Sequence, residues 1–182
     1  MRLGLSGPGA LLWSTLYLLL TPGELTSLLL AVAAHEIGHL AALGALDAGV
    51  EALCLTGTGL RIDYRRGLPP AGEALAALAG PAAGALWALL ARALGLEISG
   101  TVSLVLTLYN LLPASFLDGG RALAAVLGPK RQRIVDITLC ALTCAAGLWF
   151  ALRGFGAGAA LAAGAFSIYV LSSCGKGLHG VQ

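Results

Sequence analysis

The chain has 182 residues, 58% of them hydrophobic and 11% charged, with a net charge of +2 and a mean hydropathy of +0.87. Soluble domains carry about 25% charged residues, so this composition excludes an ordinary soluble globule and points to a polytopic, all-helical membrane protein. The small net charge and the lack of a basic, aromatic-rich patch exclude a nucleic-acid partner.

Six apolar stretches follow one another along the chain. The first, Gly9 to Leu20, is short and preceded by Arg2, as a signal peptide would be. It is nevertheless read as a retained span, because the next stretch begins directly after "TPGE". The second, Leu25 to Leu46, reaches the length of about 20 residues that a bilayer requires. The third is Ala71 to Leu94, the fourth Ile98 to Leu112, the fifth Ile134 to Leu152 and the sixth Ala157 to Cys174. The fourth is short unless it continues through "PASFL" as a partly unwound helix end. Such irregular backbone is tolerated at membrane depth where protein buries it or it lines a wet cavity.

Between the second and third stretches, "VEALCLTGTGLRIDYRR" has two short runs, Val50 to Leu55 and Leu60 to Tyr64, joined by "TGTG". This pattern predicts a β-hairpin. Its reading is either an interfacial loop or a strand edge that could pair with an extended peptide. The 26 glycines lie scattered through the apolar stretches, where small residues let membrane helices approach closely. Nothing marks a linker, so residues 1–182 are read as one domain. Cys54, Cys140, Cys144 and Cys174 show no CxxC spacing. Cys140 and Cys144, one helical turn apart, read as small buried hydrophobes in preference to a metal pair or a disulfide.

Placement of Lys and Arg sets orientation. Six spans put Arg2, Arg61, Arg65, Arg66, Arg121, Lys130, Arg131, Arg133 and Lys176 on one side, and Arg92 and Arg153 on the other. That bias predicts both termini in the cytoplasm of a bacterial cell membrane.

The chemistry is concentrated in "AVAAHEIGHLAAL". His35 and His39 are spaced to lie on one face of a helix, near enough to share an ion. Glu36 stands beside them. HExxH on a helix is a zinc-hydrolase arrangement, with the glutamate as general base. The other reading is a structural histidine pair, but three polar residues in one span are costly without a function. A catalytic zinc takes three protein ligands plus water. Among the remaining acidic residues, most flank spans or sit in the hairpin segment. Asp118, in "NLLPASFLDGGRAL", stands at a break followed by Gly119 and Gly120 and is the third-ligand candidate. Its other reading is the N-cap of a helix beginning near Arg121.

HEIGH in one span and "NLLPASFLDGGR" in a later one together resemble the site-2 proteases, which are intramembrane zinc metalloproteases. Within that family the likeness is to the branch that processes a sporulation sigma-factor precursor. The resemblance covers most of the chain. It implies His35, His39 and Asp118 as ligands of Zn2+ and Glu36 as general base. It also implies Asn110 as a residue that holds substrate and Pro113 as one that shapes the loop. The hairpin resembles strands that receive an extended substrate. The chain departs from the family in having Gly84 three residues after Pro81, where a polar residue is usual, and Phe116 where the sporulation branch often has proline. Neither a C-terminal nucleotide-sensing domain nor a PDZ-like insert is expected.

The expected function is endopeptidase cleavage of a membrane-embedded or membrane-tethered regulatory protein, subject to a membrane inhibitor or regulator. The alternatives are a non-catalytic zinc-binding membrane protein that holds substrate, and a metal transporter with a midplane site.

Overall fold

The computed structural model describes residues 2–56, 59–155, 158, 161, 162 and 164–168. They fall into two compact units, Met1–Asn110 and Leu111–Gln182.

The first unit begins with a strand, β1 (Arg2–Leu5), and a helix, α1 (Gly7–Leu19). Ser6 caps α1, accepting from Gly9 N at 3.1 Å while its hydroxyl donates to Leu55 O. A long helix, α2 (Pro22–Ala45), follows. It starts on a reciprocal cap in which Glu24 accepts from Thr21 N at 2.9 Å and Glu24 N donates to Thr21 Oγ1, with Pro22 at the first turn. The chain leaves α2 through Asp47 at φ 51° and Gly49 at φ 70°. It then forms β2 (Val50–Thr56) and β3 (Gly59–Tyr64), which pair antiparallel. Two helices complete the unit, α3 (Pro70–Ala93) and α4 (Glu97–Asn110).

The expected hairpin is present, but it is part of a larger sheet. β1 pairs parallel to β2 with Arg2 opposite Ala52, giving the order β1-β2-β3. Val50 to Leu55 is therefore in the central strand, paired with β3 and, over Ala52–Leu55, with β1 as well. The expectation that this run offers a strand edge to a peptide is corrected: the edges are β1 and β3. Leu43 of α2, Ala48 and Ala76 of α3 form a buried cluster with Val50, Ile62 and Tyr64 packed against it, so the sheet is seated at the C-terminal end of α2.

The second unit holds α5 (Asp118–Leu127) and α6 (Pro129–Phe150), joined through Gly128 at φ 84°. A π-helical turn over Ala151–Phe155 continues α6.

Among the described residues, three helices are long and apolar enough to cross a membrane: Pro22–Ala45, Pro70–Ala93 and Pro129–Arg153. Six spans are not found among the described residues. The first and fourth apolar stretches form α1 and α4, of 13 and 14 residues. At about 1.5 Å per residue these reach roughly 20 Å, short of a hydrocarbon core about 30 Å thick. The sixth stretch, Ala157 to Cys174, falls largely outside the described residues. The Lys and Arg bias presupposes six crossings and does not carry over to three helices.

What is buried supports lipid as the solvent. In α3 the buried residues are Gly72, Ala76, Ala77, Gly80, Pro81, Gly84, Ala88 and Ala91, while Leu75, Leu86 and Leu89 are exposed. Helices of a water-soluble domain bury their large apolar residues. Small residues inside and leucines outside is the packing of membrane helices.

Candidate metal centre

Each unit holds buried polar groups of its own. In the first, α2 carries "HEIGH" at its centre, and His35 and His39 are buried while Glu36 is half-buried. The two imidazoles meet edge to face, with their Nε2 atoms 3.1 Å apart. Nδ1 of His39 is 2.7 Å from the carbonyl oxygen of Ala76. A carbonyl only accepts, so this ring carries its proton on Nδ1 and presents the Nε2 lone pair toward His35. That is the tautomer and orientation a metal-binding histidine needs.

Glycines in α3 make the room for these rings. A Cβ on Gly80 would overlap the His39 ring, including Nε2. A Cβ on Gly38 of α2 would overlap Ala79 O and come within 2.6 Å of the Ala83 methyl, so α2 and α3 touch backbone to backbone beside the histidines. At Gly84 a Cβ would lie 2.6 Å from Thr107 Oγ1 and 3.8 Å from His35 Nδ1. The Thr107 hydroxyl of α4 thus occupies the space in front of Gly84. Thr107 Oγ1 is buried and has no hydrogen-bond partner among the described residues. One turn earlier, Ser103 Oγ donates to Gly84 O at 2.8 Å and ties α4 to α3. Asn110 ends α4 half-buried, and its Nδ2 donates to Leu106 O of the same helix at 2.9 Å.

In the second unit Asp118 is buried and is the first residue of α5; the N-cap is Leu117. The helix begins at Asp118 itself, not near Arg121, so the N-cap reading of this aspartate is corrected. A carboxylate in the first turn is favoured by the helix dipole. Arg121 Nη1 lies 3.5 Å from Asp118 Oδ1. A Cβ on Gly119 would overlap Leu111 O, and one on Gly120 would overlap Ala114 O. Both glycines are required for the preceding loop to fold back onto the start of α5.

That loop is held by α6. Pro113 O accepts from Gln132 Nε2 at 2.8 Å, and Ser115 N donates to Asp136 Oδ1 at 2.9 Å. Gln132 Nε2 also reaches Asp136 Oδ1 at 3.2 Å. Sequence reasoning set Asp136 aside as a residue flanking a span and passed over Gln132 and Thr107. The available signal was the spacing of Gln132 and Asp136, four apart at the head of an apolar run and so on one helix face.

His35, His39 and Asp118 are all buried, and each offers one atom suited to a metal ion.

No family model and no curated relative matches the chain. Among solved structures, the site-2 protease from Methanocaldococcus jannaschii is similar over 99% of this chain and 92% of its own, with 20% identity and a TM-score of 0.69. The backbone of this chain thus follows the fold of a site-2 protease across nearly its whole length.

Proposed function

We propose that this chain is a zinc-dependent intramembrane endopeptidase that cleaves a membrane-embedded or membrane-tethered regulatory protein. The observation that carries the reading is the histidine pair: two buried imidazoles on a helix long and apolar enough to cross a membrane, Nε2 facing Nε2, with the outer nitrogen of His39 fixed by Ala76 O. The fold likeness to a site-2 protease supports it.

His35, His39 and Asp118 are the proposed ligands. Two neutral imidazole nitrogens and a carboxylate oxygen suit Zn2+ with one position left for water. The contact of Asp118 Oδ1 with Arg121 is compatible with this role, since a carboxylate has about four acceptor sites. Zinc bound there would acidify a water toward pKa about 7 and polarise the scissile carbonyl. Glu36 takes the proton from the attacking water and delivers it to the leaving amine. Its neighbour position to His35 on α2 suits that task. Pro113 shapes the loop ahead of Asp118, and Asn110 holds substrate backbone through the amide oxygen that its bond to Leu106 leaves unused.

A substrate helix must unwind before attack, because its carbonyls are hydrogen-bonded. An extended segment would be held by adding to an edge of the sheet, at β1 or β3. The resemblance to the sporulation branch makes a membrane-tethered sigma-factor precursor the candidate substrate, in a bacterial cell membrane.

The test is cleavage of a single-span substrate co-reconstituted with the purified protein, with zinc content measured in parallel. Wild type should hold one zinc and cleave; Glu36→Gln should hold zinc and not cleave. Equal cleavage by the two would overturn the mechanism, and zinc without cleavage in wild type would favour a non-catalytic zinc-binding protein.

A further inference from the structure

Among the described residues two carboxylates are buried, Asp118 and Asp136. Asp136 is the more enclosed, at 1% exposure, and lies in α6, one of the helices able to cross a membrane. A carboxylate in such a place is costly and marks a function by default. The proposed hydrolysis assigns it none.

One hydrogen bond of Asp136 leads to the loop ahead of α5 directly, and a second leads there through Gln132. Asp136 Oδ1 accepts from the backbone of Ser115, and Gln132, one turn earlier on α6, donates to the carbonyl of Pro113 while also touching Asp136 Oδ1. Between these two anchor points Ala114 is fully buried, and its carbonyl accepts from Leu117 N at 2.8 Å. The same Ala114 carbonyl lies where a Cβ of Gly120 would stand. Gln132 and Asp136 therefore grip both a carbonyl and an N–H of the loop, and the next backbone contact along the chain fixes the first turn of α5, where Asp118 sits. Gln132 holds its Nε2 between two acceptors and leaves its buried Oε1 without a hydrogen-bond partner among the described residues. An unmet buried acceptor is uncommon and calls for an explanation. Fixing the loop supplies one.

We infer that Asp136, with Gln132, is a positioning residue for Asp118: it sets the loop Pro113–Ser115 so that the Asp118 carboxylate is presented for metal binding. The inference rests on Asp118 being a zinc ligand, as proposed above. Metal-ligating carboxylates are oriented by hydrogen-bonded partners whose loss lowers metal affinity by about 10- to 100-fold. Here the support passes through backbone.

The experiment measures zinc affinity, by chelator competition on the full chain in detergent, for wild type, Asp118→Ala, Asp136→Leu, Asp136→Asn, Gln132→Ala and the double variant Asp118→Ala/Asp136→Leu. Thermal unfolding of the metal-free proteins is recorded alongside. Asp136→Leu should weaken zinc binding by about 10- to 100-fold. Asp136→Asn, which keeps an acceptor oxygen for Ser115 N, should recover most of it. In the Asp118→Ala background Asp136→Leu should weaken binding no further, because the effect runs through Asp118; a general loss of stability would not show that dependence. If Asp136→Leu does not fold, Gln132→Ala carries the test, with a smaller loss of affinity expected. Wild-type affinity in Asp136→Leu (or in Gln132→Ala, where Asp136→Leu does not fold), or losses in Asp118→Ala and Asp136→Leu that multiply, overturns the positioning role. Equal zinc binding by wild type and Asp118→Ala instead overturns the ligand assignment beneath it.

Discussion

Replacing Gly80 by alanine should displace a ligand without touching one. The new Cβ would overlap His39 Nε2 and lie 2.5 Å from Cε1 and 2.6 Å from Cδ2. Ordinary carbon contacts begin at about 3.5 Å, so the ring must withdraw by roughly 1 Å. His39 is tethered on the other side by its Nδ1 to Ala76 O, on the turn of α3 before Gly80. Withdrawal stretches or breaks that bond, and the loss of such outer support typically lowers metal affinity by about 10- to 100-fold, or about 1.4 to 2.7 kcal/mol. Zinc affinity by chelator competition is the assay, with cleavage as a second readout. Gly44→Ala on α2 is the control, since nothing lies within 4 Å of its Cβ position. Gly80→Ala with wild-type affinity would show that His39 does not hold the metal in the orientation described.

Glu36→Gln should retain zinc and lose at least about 100-fold in cleavage, the lower end of general acid–base contributions. Removing metal with a chelator should abolish cleavage and added zinc should restore it, both read in the reconstituted substrate assay. Ser103→Ala removes the hydroxyl donor to Gly84 O. It should cost about 0.6 kcal/mol, the average for polar contacts between membrane helices, read as a small fall in the thermal midpoint in detergent. Gly38→Leu should be far worse, because the side chain would enter the backbone of α3 at Ala79 and the methyl of Ala83; loss of the folded protein's peak on size exclusion is the expected result.

Local pattern made part of this molecule legible. The HEIGH segment sits on a helix because an apolar run of helix-forming residues surrounds it and "TPGE" caps it, and the four-residue spacing fixes the shared face of its histidines. The hairpin followed from two β-rich runs around Gly and Thr. The fourth stretch reads to Leu112 or on through "PASFL" in the sequence, whereas its helix ends at Asn110, three residues before Pro113. Nonlocal terms were hidden. β1 is four residues, "RLGL", with no strand signal of its own; it exists because β2, some fifty residues on, offers it an edge. Apolar content alone overcounted spans, since α1 and α4 have the composition of a crossing without the length. Asp136 reads as the polar head of an apolar helix, and its burial depends on a loop that turns back to it from position 115.

The glycines show why the histidines tolerate their setting. Backbone contact of α2 with α3 at Gly38 and the seating of His39 on Gly80 are parts of the same contact, one residue apart on each helix. Close approach brings the Ala76 carbonyl within 2.7 Å of Nδ1. That carbonyl would ordinarily serve the N–H four residues later, at Gly80; here it also meets a side-chain donor, using its second lone pair. A bulkier pair at 38 and 80 would separate the helices and leave an imidazole N–H in an apolar setting with no water to accept it. The small residues therefore do more than let helices pack: they determine which nitrogen of His39 carries the proton, and so which one is left for a metal.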